Sequence, residues 1–210
     1  MQTSSYVSLN PTEISQGDMY KLLIGSVVPR PIAFVSTQST EGNNNLAPFS
    51  FFNAVASNPP ALMFSMARRG SDGAKKDTLI NLENTGECVV NIVSEDIVQA
   101  MNQTSAEYPP EVSEFKAAGL TPVPSLSVKP PRVGESLVQM ECRVLNLVPV
   151  GDGSIGSACV AIVEVVQFHC AAHAYQNGRI LIEALKPVAR LAGSSYCPVR
   201  EIFEIARPVI

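Results

Sequence analysis

The sequence is poor in the residues on which several common functions depend. It contains two histidines and no tryptophan, and only 16% of its 210 residues are charged, with a net charge of −4. No Lys/Arg run stands out, which argues against nucleic-acid binding through many phosphate contacts. No apolar stretch reaches the roughly 18 residues of a membrane-spanning helix. A small anionic ligand held by two or three basic residues stays compatible with this composition.

Disulfide and secretory patterns are also missing. The five cysteines are odd in number and show no CxxC spacing, so they are typical of buried thiols in a reducing compartment. The first residues, MQTSSYVSLNPTE, lack the basic and apolar regions of a secretory signal. We therefore expect a cytoplasmic protein. The hydrophobic content of 46% suits a chain that buries much of its surface, in an oligomer as well as in a core.

Short segments rich in β-branched and aromatic residues dominate the chain. They predict strands at 31–37, 46–52, 61–66, 87–93, 137–148 and 158–169. Helices are predicted at 77–84, with Asp77 as the N-cap and a stop near Gly86, and at 96–104 and 112–118. The proline-rich segment 121–134 is predicted to be a loop. Many short strands with few helices favour a mainly β protein built on an antiparallel barrel.

Two motifs resemble known sites but lack the required context. Residues 151–156 match GxGxxG, yet the segment that follows has the composition of a strand, which predicts a hairpin turn and not a dinucleotide site. His169 and His173 in HCAAH would form half a metal site only on a helix, and further ligands are missing nearby. We predict no metal. The sequence also lacks a GxSxG elbow and a Walker A loop.

The segment 68–78, RRGSDGAKKDT, has the composition of an anion site. Four basic residues precede a predicted helix whose N-terminus offers unpaired N–H groups and partial positive charge. Lys75 or Lys76 would add a full charge, and Thr78 a hydroxyl group. A solvated basic loop before an ordinary helix explains this segment equally well.

The segment 45–60, NLAPFSFFNAVASNPP, mixes aromatic and polar residues. As one strand it would place Phe49 and Phe51 on one face and Ser50 and Phe52 on the other. A planar aromatic ligand needs such flat apolar contacts with a few polar groups around its rim. An aromatic strand packed in a barrel core fits the pattern equally well.

An ordered set of motifs adds a family resemblance. The set comprises RPIAFVST at 30–37, NLAPFSFFN at 45–53, NPP at 58–60, KDT at 76–78 with Asn81, and KPVARLAG at 186–193 followed by Tyr196. In this order the motifs resemble the flavin reductase-like family of FMN-binding split-barrel proteins, which includes flavoredoxins and the reductase components of two-component monooxygenases. The resemblance runs from about residue 20 to 196. Ala192 departs from it, because the family usually carries glycine there.

The resemblance implies a split antiparallel β-barrel of the FMN-binding type, with residues 1–210 as one domain. It also implies a homodimer that binds FMN near the subunit interface, with NADH or NADPH as hydride donor and a partner monooxygenase as acceptor of reduced flavin. An electron carrier of the flavoredoxin type is the alternative function, and a barrel that has lost its cofactor is a third. No catalytic side chain is expected, since the cofactor carries the chemistry.

Site residues follow from the same resemblance. Ser36, Thr37 and the segment Ala47, Pro48, Phe49 and Ser50 would line the flavin, partly through backbone N–H groups, and Asn53 would approach its polar edge. The phosphate and ribityl chain would meet Ser65, Arg68, Lys76 and Thr78, with Arg30 in support. Arg190, Gly193 and Tyr196 would close the pocket or meet the nicotinamide.

Overall fold

The computed structural model describes residues 5–109 and 111–209. In chain order its first elements are α1 (Gln16–Ser26), β1 (Ala33–Gln38), β2 (Asn44–Phe49), β3 (Phe52–Ser57), β4 (Pro60–Ala67), α2 (Asp77–Thr85), β5 (Glu87–Ile92), a 3₁₀ turn (Glu95–Ile97), α3 (Val98–Gln103) and α4 (Glu114–Ala117). Then follow β6 (Pro122–Val123), β7 (Arg132–Val133), β8 (Val138–Val150), β9 (Ala158–Cys170), a 3₁₀ turn (Ala172–Ala174), β10 (Tyr175–Gln176), β11 (Arg179–Ile180), α5 (Ile182–Leu185), β12 (Val188–Arg190) and β13 (Tyr196–Pro198).

Seven of these strands form one antiparallel sheet in the order β2-β1-β5-β8-β9-β4-β3. The sheet curls until β2 and β4 face each other, although they do not share a ladder of hydrogen bonds. Phe49 of β2 and Phe64 of β4 meet across this gap, with ring centroids 5.7 Å apart. The predicted mainly β class and the antiparallel barrel are confirmed, and the barrel is split between β2 and β4.

Apolar side chains fill the barrel and cover part of its outside. The interior contains inward-facing residues of β1, β2, β4, β5, β8 and β9, and α2 closes one end with Leu79 and Leu82. A second cluster lies on the outer side of β1 and β2, where Met101 of α3 and Phe115 of α4 join Phe34 and Leu46. Successive residues of β1 and β2 therefore face two different environments, as strand alternation requires.

The GxGxxG segment is the turn of the β8–β9 hairpin, as predicted. Gly156 has a φ of 95°, a conformation that L side chains rarely adopt. A Cβ atom at this position would also lie 1.5 Å from the amide nitrogen of Gln16, which donates to the carbonyl oxygen of Ile155 at 2.7 Å. The glycine thus allows α1 to pack directly on the hairpin. No predicted element corresponds to α1.

The predicted strand 46–52 is confirmed only as far as Phe49, and its continuation to Phe52 is wrong. Strand β2 ends at Phe49 and β3 begins at Phe52, so Ser50 and Phe51 form a corner between strands at opposite edges of the sheet. Phe49 is buried in the barrel, whereas Phe51 is 44% exposed. The two rings do not share one face, because the chain changes direction between them.

The predicted cap of α2 is also wrong. Lys76 occupies the N-cap position, and no side chain caps the helix. The carboxylate of Asp77 instead accepts from the guanidinium of Arg69 at 2.8 Å, and the ion pair replaces the capping bond. The predicted end of the helix is confirmed, since Gly86 adopts a φ of 68° and its N–H donates to the carbonyl oxygen of Leu82.

Glu141 fastens the proline-rich loop to the sheet. Its fully buried carboxylate accepts from the N–H groups of Leu126 at 2.8 Å, Ser127 at 2.5 Å and Val128 at 3.1 Å, and its Oε1 lies 2.6 Å from Nε2 of His169. Burial alone would raise the pKa of Glu141, but these hydrogen bonds outweigh it and the pKa is lowered. The ionised carboxylate therefore stabilises the folded state.

Replacing this carboxylate tests its contribution. We expect Glu141→Gln to lower the free energy of unfolding by about 2–3 kcal/mol at pH 7, because an amide nitrogen would face backbone donors. The folded pKa lies below the ordinary 4.5, so the wild type loses this stabilisation as the pH falls from about 4.5 through the folded pKa. The difference in the free energy of unfolding between the wild type and Glu141→Gln, measured by urea unfolding, should therefore become smaller at acidic pH.

Glu135→Gln is the matched control, because this exposed carboxylate of the same region also accepts a backbone N–H, that of Thr121. A change within about 0.5 kcal/mol is expected for it. An equal loss in both variants would contradict the assigned role of Glu141.

Candidate functional site

The basic loop before α2 contains two paired and two unpaired cations. Arg69 forms an ion pair with Asp77 at 2.8 Å, and Lys75 forms one with Glu83 at 2.7 Å. Within residues 5–109 and 111–209, Arg68 and Lys76 have no ion-pair partner. These two are the cations available for an anionic ligand.

Lys76 combines with the N-terminus of α2. Burial lowers the pKa of Lys76. The positive charge of Arg69 lowers this pKa further, whereas the negative charge of Glu107 raises it. Its Nζ lies 5.8 Å from the ring centroid of Phe49. The N–H groups of Asp77 and Thr78 donate no hydrogen bond to any of the described residues. A cation and two free donors at the positive end of a nine-residue helix form a site for a phosphate or carboxylate.

The open edge of β2 lies beside this anion site. The N–H of Leu46 points away from β1, since it donates to the carboxylate of Glu114 at 3.0 Å. Alternation along an antiparallel strand directs Pro48 to the same open side and turns Ala47 and Phe49 toward β1. Pro48 lacks an N–H group, which suits the unpaired side of an edge strand. The N–H of Ser50 is therefore the remaining candidate donor in the segment that was expected to contact the flavin.

Burial also affects Glu114. It raises the pKa of this carboxyl group, with a further contribution from Asp77, while the N–H of Leu46 acts in the opposite direction. Glu114 thus covers part of the β2 edge. No sequence motif indicated this residue, because it comes from a short helix far along the chain.

Arg30 holds together the elements around the corner at Ser50 and Phe51. Its buried guanidinium lies over the ring of Phe51 at 5.7 Å. It donates to four acceptors, the carbonyl oxygens of Ile24 at 2.9 Å, Val27 at 2.6 Å and Leu191 at 3.0 Å and the hydroxyl oxygen of Ser50 at 3.4 Å. These bonds join the end of α1 and the end of β12 to the corner. Arg30 thus fixes the corner from its inner side.

Thr37 and Thr78 use their hydroxyl groups inside the protein. Asn45 donates to Thr37 Oγ1 at 3.2 Å and to Thr78 Oγ1 at 2.9 Å, and Asn81 donates to Thr37 Oγ1 at 3.0 Å. All four side chains are buried. The two threonines therefore lie behind the candidate site, where their hydroxyls join α2 to β1 and β2. The motifs included both asparagines, but no pattern in the sequence indicated this contact.

The other expected residues have surroundings of their own. Ser36 is fully buried and its hydroxyl donates to the carbonyl oxygen of Pro131 under the proline-rich loop, since alternation turns it away from Thr37. Arg68 lines a cavity of about 150 Å³ beside the β8–β9 hairpin. Asn53 and Ser65 lie on the outer face of β3 and β4, opposite to the inward-facing Phe64. A larger cavity of about 380 Å³ under the C-terminal residues contains none of the expected residues.

Arg190, Gly193 and Tyr196 form a closed network at the end of β12. The guanidinium of Arg190 lies 4.5 Å from the ring centroid of Tyr196 and donates to its hydroxyl oxygen and to the carbonyl oxygen of Gly193. The hydroxyl of Tyr196 donates to Asn102 Oδ1 at 2.9 Å. These bonds hold the 190–196 turn against α3. The backbone of Arg190 also pairs with Arg30, which places the turn beside the corner.

Metal-binding clusters and membrane-spanning helices are both missing from the described part of the chain. Residues 5–109 and 111–209 contain no group of three or more His, Cys, Asp or Glu side chains placed to hold a metal ion, and His169 contacts Glu141. None of the helices assigned in these residues is long and apolar enough to cross a membrane.

Known proteins resemble this chain over most of its length. Residues 24–187 match the family model of the flavin reductase like domain. A protein of Halalkalibacterium halodurans is 45% identical, over 97% of this chain and 98% of its own length. The crystal structure of nitrilotriacetate monooxygenase component B from Bacillus cereus is 43% identical, with a TM-score of 0.92 over 97% of this chain and 100% of that one.

A third comparison extends the similarity to a more distant enzyme. The 2-nitrobenzoate 2-nitroreductase of Pseudomonas fluorescens is 26% identical, with a TM-score of 0.85 over 96% of both chains. The family match covers more than half of the chain, and relatives of similar length share its split barrel. The protein therefore belongs to the flavin reductase-like family and is a flavin-related oxidoreductase.

Proposed function

We propose that the protein binds FMN and transfers hydride to it from NADH or NADPH. The observation that carries this proposal is the unpaired Lys76 at the N-terminus of α2, beside Phe49 and the open edge of β2. FMN ends in a phosphate monoester, which carries close to two negative charges at pH 7 and suits one lysine with two free helix N–H groups. The expectation of FMN as the flavin is supported by this anion site.

The residues around Lys76 fit both parts of FMN. Ala47 and Pro48 provide partly buried apolar surface for a flat ring, with the buried Phe49 behind them, and the N–H of Ser50 provides a donor for its rim. When bound, FMN would supply the hydride-accepting ring, so hydride transfer needs no acid–base pair from the protein. The chain must hold the ring and the nicotinamide in contact and exclude water. Arg30 contributes by fixing the corner that contains Ser50.

We extend the proposal to a homodimer. From Asn53 to Ser57 every residue of the edge strand β3 is exposed, and the apolar Phe51, Val55 and Met63 are 44%, 48% and 37% exposed. An exposed apolar edge strand is a surface that proteins normally cover. Asn53 and Ser65 share this face, so a second copy placed here supports their expected role near a flavin at the interface.

The biological setting is part of the same proposal. The B. cereus relative is a component of a monooxygenase, which supports transfer of reduced flavin from this protein to a partner monooxygenase. All five cysteines are free thiols, which supports a reducing compartment such as the cytoplasm.

Removing the proposed phosphate ligand tests the site. We expect Lys76→Ala to weaken FMN binding by about 1–3 kcal/mol, the range for loss of a charge-assisted hydrogen bond. Titration of the flavin fluorescence measures the affinity. Lys75→Ala is the matched control, because the adjacent lysine is already paired with Glu83 and should leave the affinity nearly unchanged. Equal losses in both variants would show that only overall charge matters.

Anaerobic reduction tests the hydride transfer. FMN-loaded protein is mixed in a stopped-flow instrument with NADH or with NADPH, and the absorbance of oxidised flavin is followed. We expect one of the two nicotinamides to bleach the flavin at a rate comparable with typical enzymes, about 1–10³ per second. Dithionite is the control that shows that the bound flavin can be reduced. Bleaching by dithionite alone would reject the reductase and favour the electron carrier.

A charge on β3 tests the dimer. We expect Val55→Glu to convert a dimeric protein to monomers, because two copies of the carboxylate would be buried near the interface. Sedimentation velocity at equal protein concentrations measures the change. Leu126→Glu is the control, since Leu126 is 76% exposed on the proline-rich loop. A wild type that sediments as a monomer with FMN bound would contradict the dimer.

A further inference from the structure

Four buried polar side chains join the end of the barrel to α2, and we call them the amide–threonine cluster: Thr37, Asn45, Thr78 and Asn81. Their three hydrogen bonds run from the two amide nitrogens to the two threonine hydroxyl oxygens, at 2.9–3.2 Å. The exposed fractions of the four residues are 0%, 9%, 1% and 6%. A buried polar group is costly unless it is hydrogen-bonded, so the cluster restricts how these elements fit together.

The cluster lies between the two parts of the proposed FMN site. Asn45 belongs to β2, four residues before Phe49, and Thr78 lies in the first turn of α2, two residues after Lys76. Thr37 of β1 accepts from both asparagines and so connects both elements to a central strand. The cluster therefore fixes the separation between the proposed phosphate ligands and the β2 edge.

Apolar packing alone would define this separation less well. Leu79 and Leu82 hold α2 in the barrel, but dispersion contacts are non-directional and permit small shifts of a helix. Hydrogen bonds with fixed partners allow one arrangement, as fully satisfied polar networks generally do. A shift of α2 by about 1 Å would weaken binding of a ligand that must contact the N-terminus of α2 and the β2 edge at the same time.

We propose that the amide–threonine cluster is a positioning device that makes the phosphate subsite and the ring subsite act on one ligand, with Asn45 and Asn81 as positioning residues. This inference rests on the proposed function. Loosening the cluster should reduce the contribution of the phosphate to binding, while the ring still meets an intact β2 edge. The ratio of the dissociation constants of riboflavin and FMN measures that contribution, because riboflavin lacks only the phosphate.

The test compares two buried asparagines. Asn81→Leu removes the donor to Thr37 Oγ1, and we expect the riboflavin-to-FMN ratio to fall about tenfold while the affinity for riboflavin changes less than about twofold. Asn91→Leu is the matched control. Asn91 is also buried and also donates to β1, to the carbonyl oxygen of Phe34 at 2.9 Å, but its Oδ1 accepts from the N–H of Val133, away from α2. The riboflavin-to-FMN ratio of the Asn91→Leu variant should equal that of the wild type.

A second variant, Thr37→Val, tests the amide–threonine cluster if Asn81→Leu does not fold. Thr37→Val keeps the shape of the side chain and removes the oxygen that accepts from both asparagines, so the ratio should fall in the same way. An unchanged ratio in the folded variant, or an equal fall in Asn91→Leu, would overturn the inference while leaving FMN binding intact. A wild type that binds neither flavin would overturn the proposed function and this inference together.

Discussion

The docking of α2 into the open end of the barrel is the interaction on which the candidate site depends. Leu79 and Leu82 bury their side chains in the barrel core, each with a gain of about 1.5–3 kcal/mol. The same docking presents Lys76 and two free N–H groups beside β2. The site therefore results from the packing of α2 into one end of the barrel. It needs no cavity of its own, since one wall is a strand edge and the other a helix N-terminus.

Charge pairing then selects which basic residues are available. The sequence showed four cations before α2 and offered no means of ranking Lys75 against Lys76, because neighbouring lysines have the same local pattern. In the folded chain Glu83 lies within 2.7 Å of Lys75, while Lys76 points toward Phe49. The direction of each side chain depends on the turn that precedes the helix, and distant residues hold this turn, since the N–H of Arg68 donates to the carbonyl oxygen of Ser157 and the hydroxyl of Ser71 to Glu107.

Parts of the fold could be predicted where the sequence pattern was simple. The β8–β9 hairpin followed from two long apolar runs around a glycine-rich turn, and the ordered motifs identified the family. The corner at Ser50 and Phe51 could not be predicted, because aromatic residues continue through it without a turn signal. The positions of Ser36 and Thr37 on opposite sides of β1 follow from alternation, but which side faces α2 depends on the packing of distant elements.

A crystal structure of the protein grown with FMN is the most direct test of the site. We expect the phosphate oxygens to lie about 3 Å from Nζ of Lys76 and from the N–H groups of Asp77 and Thr78. We also expect the ring to lie against the β2 edge from Ala47 to Ser50. A phosphate bound by Arg68 in the cavity beside the β8–β9 hairpin, with the ring away from β2, would contradict the proposed site.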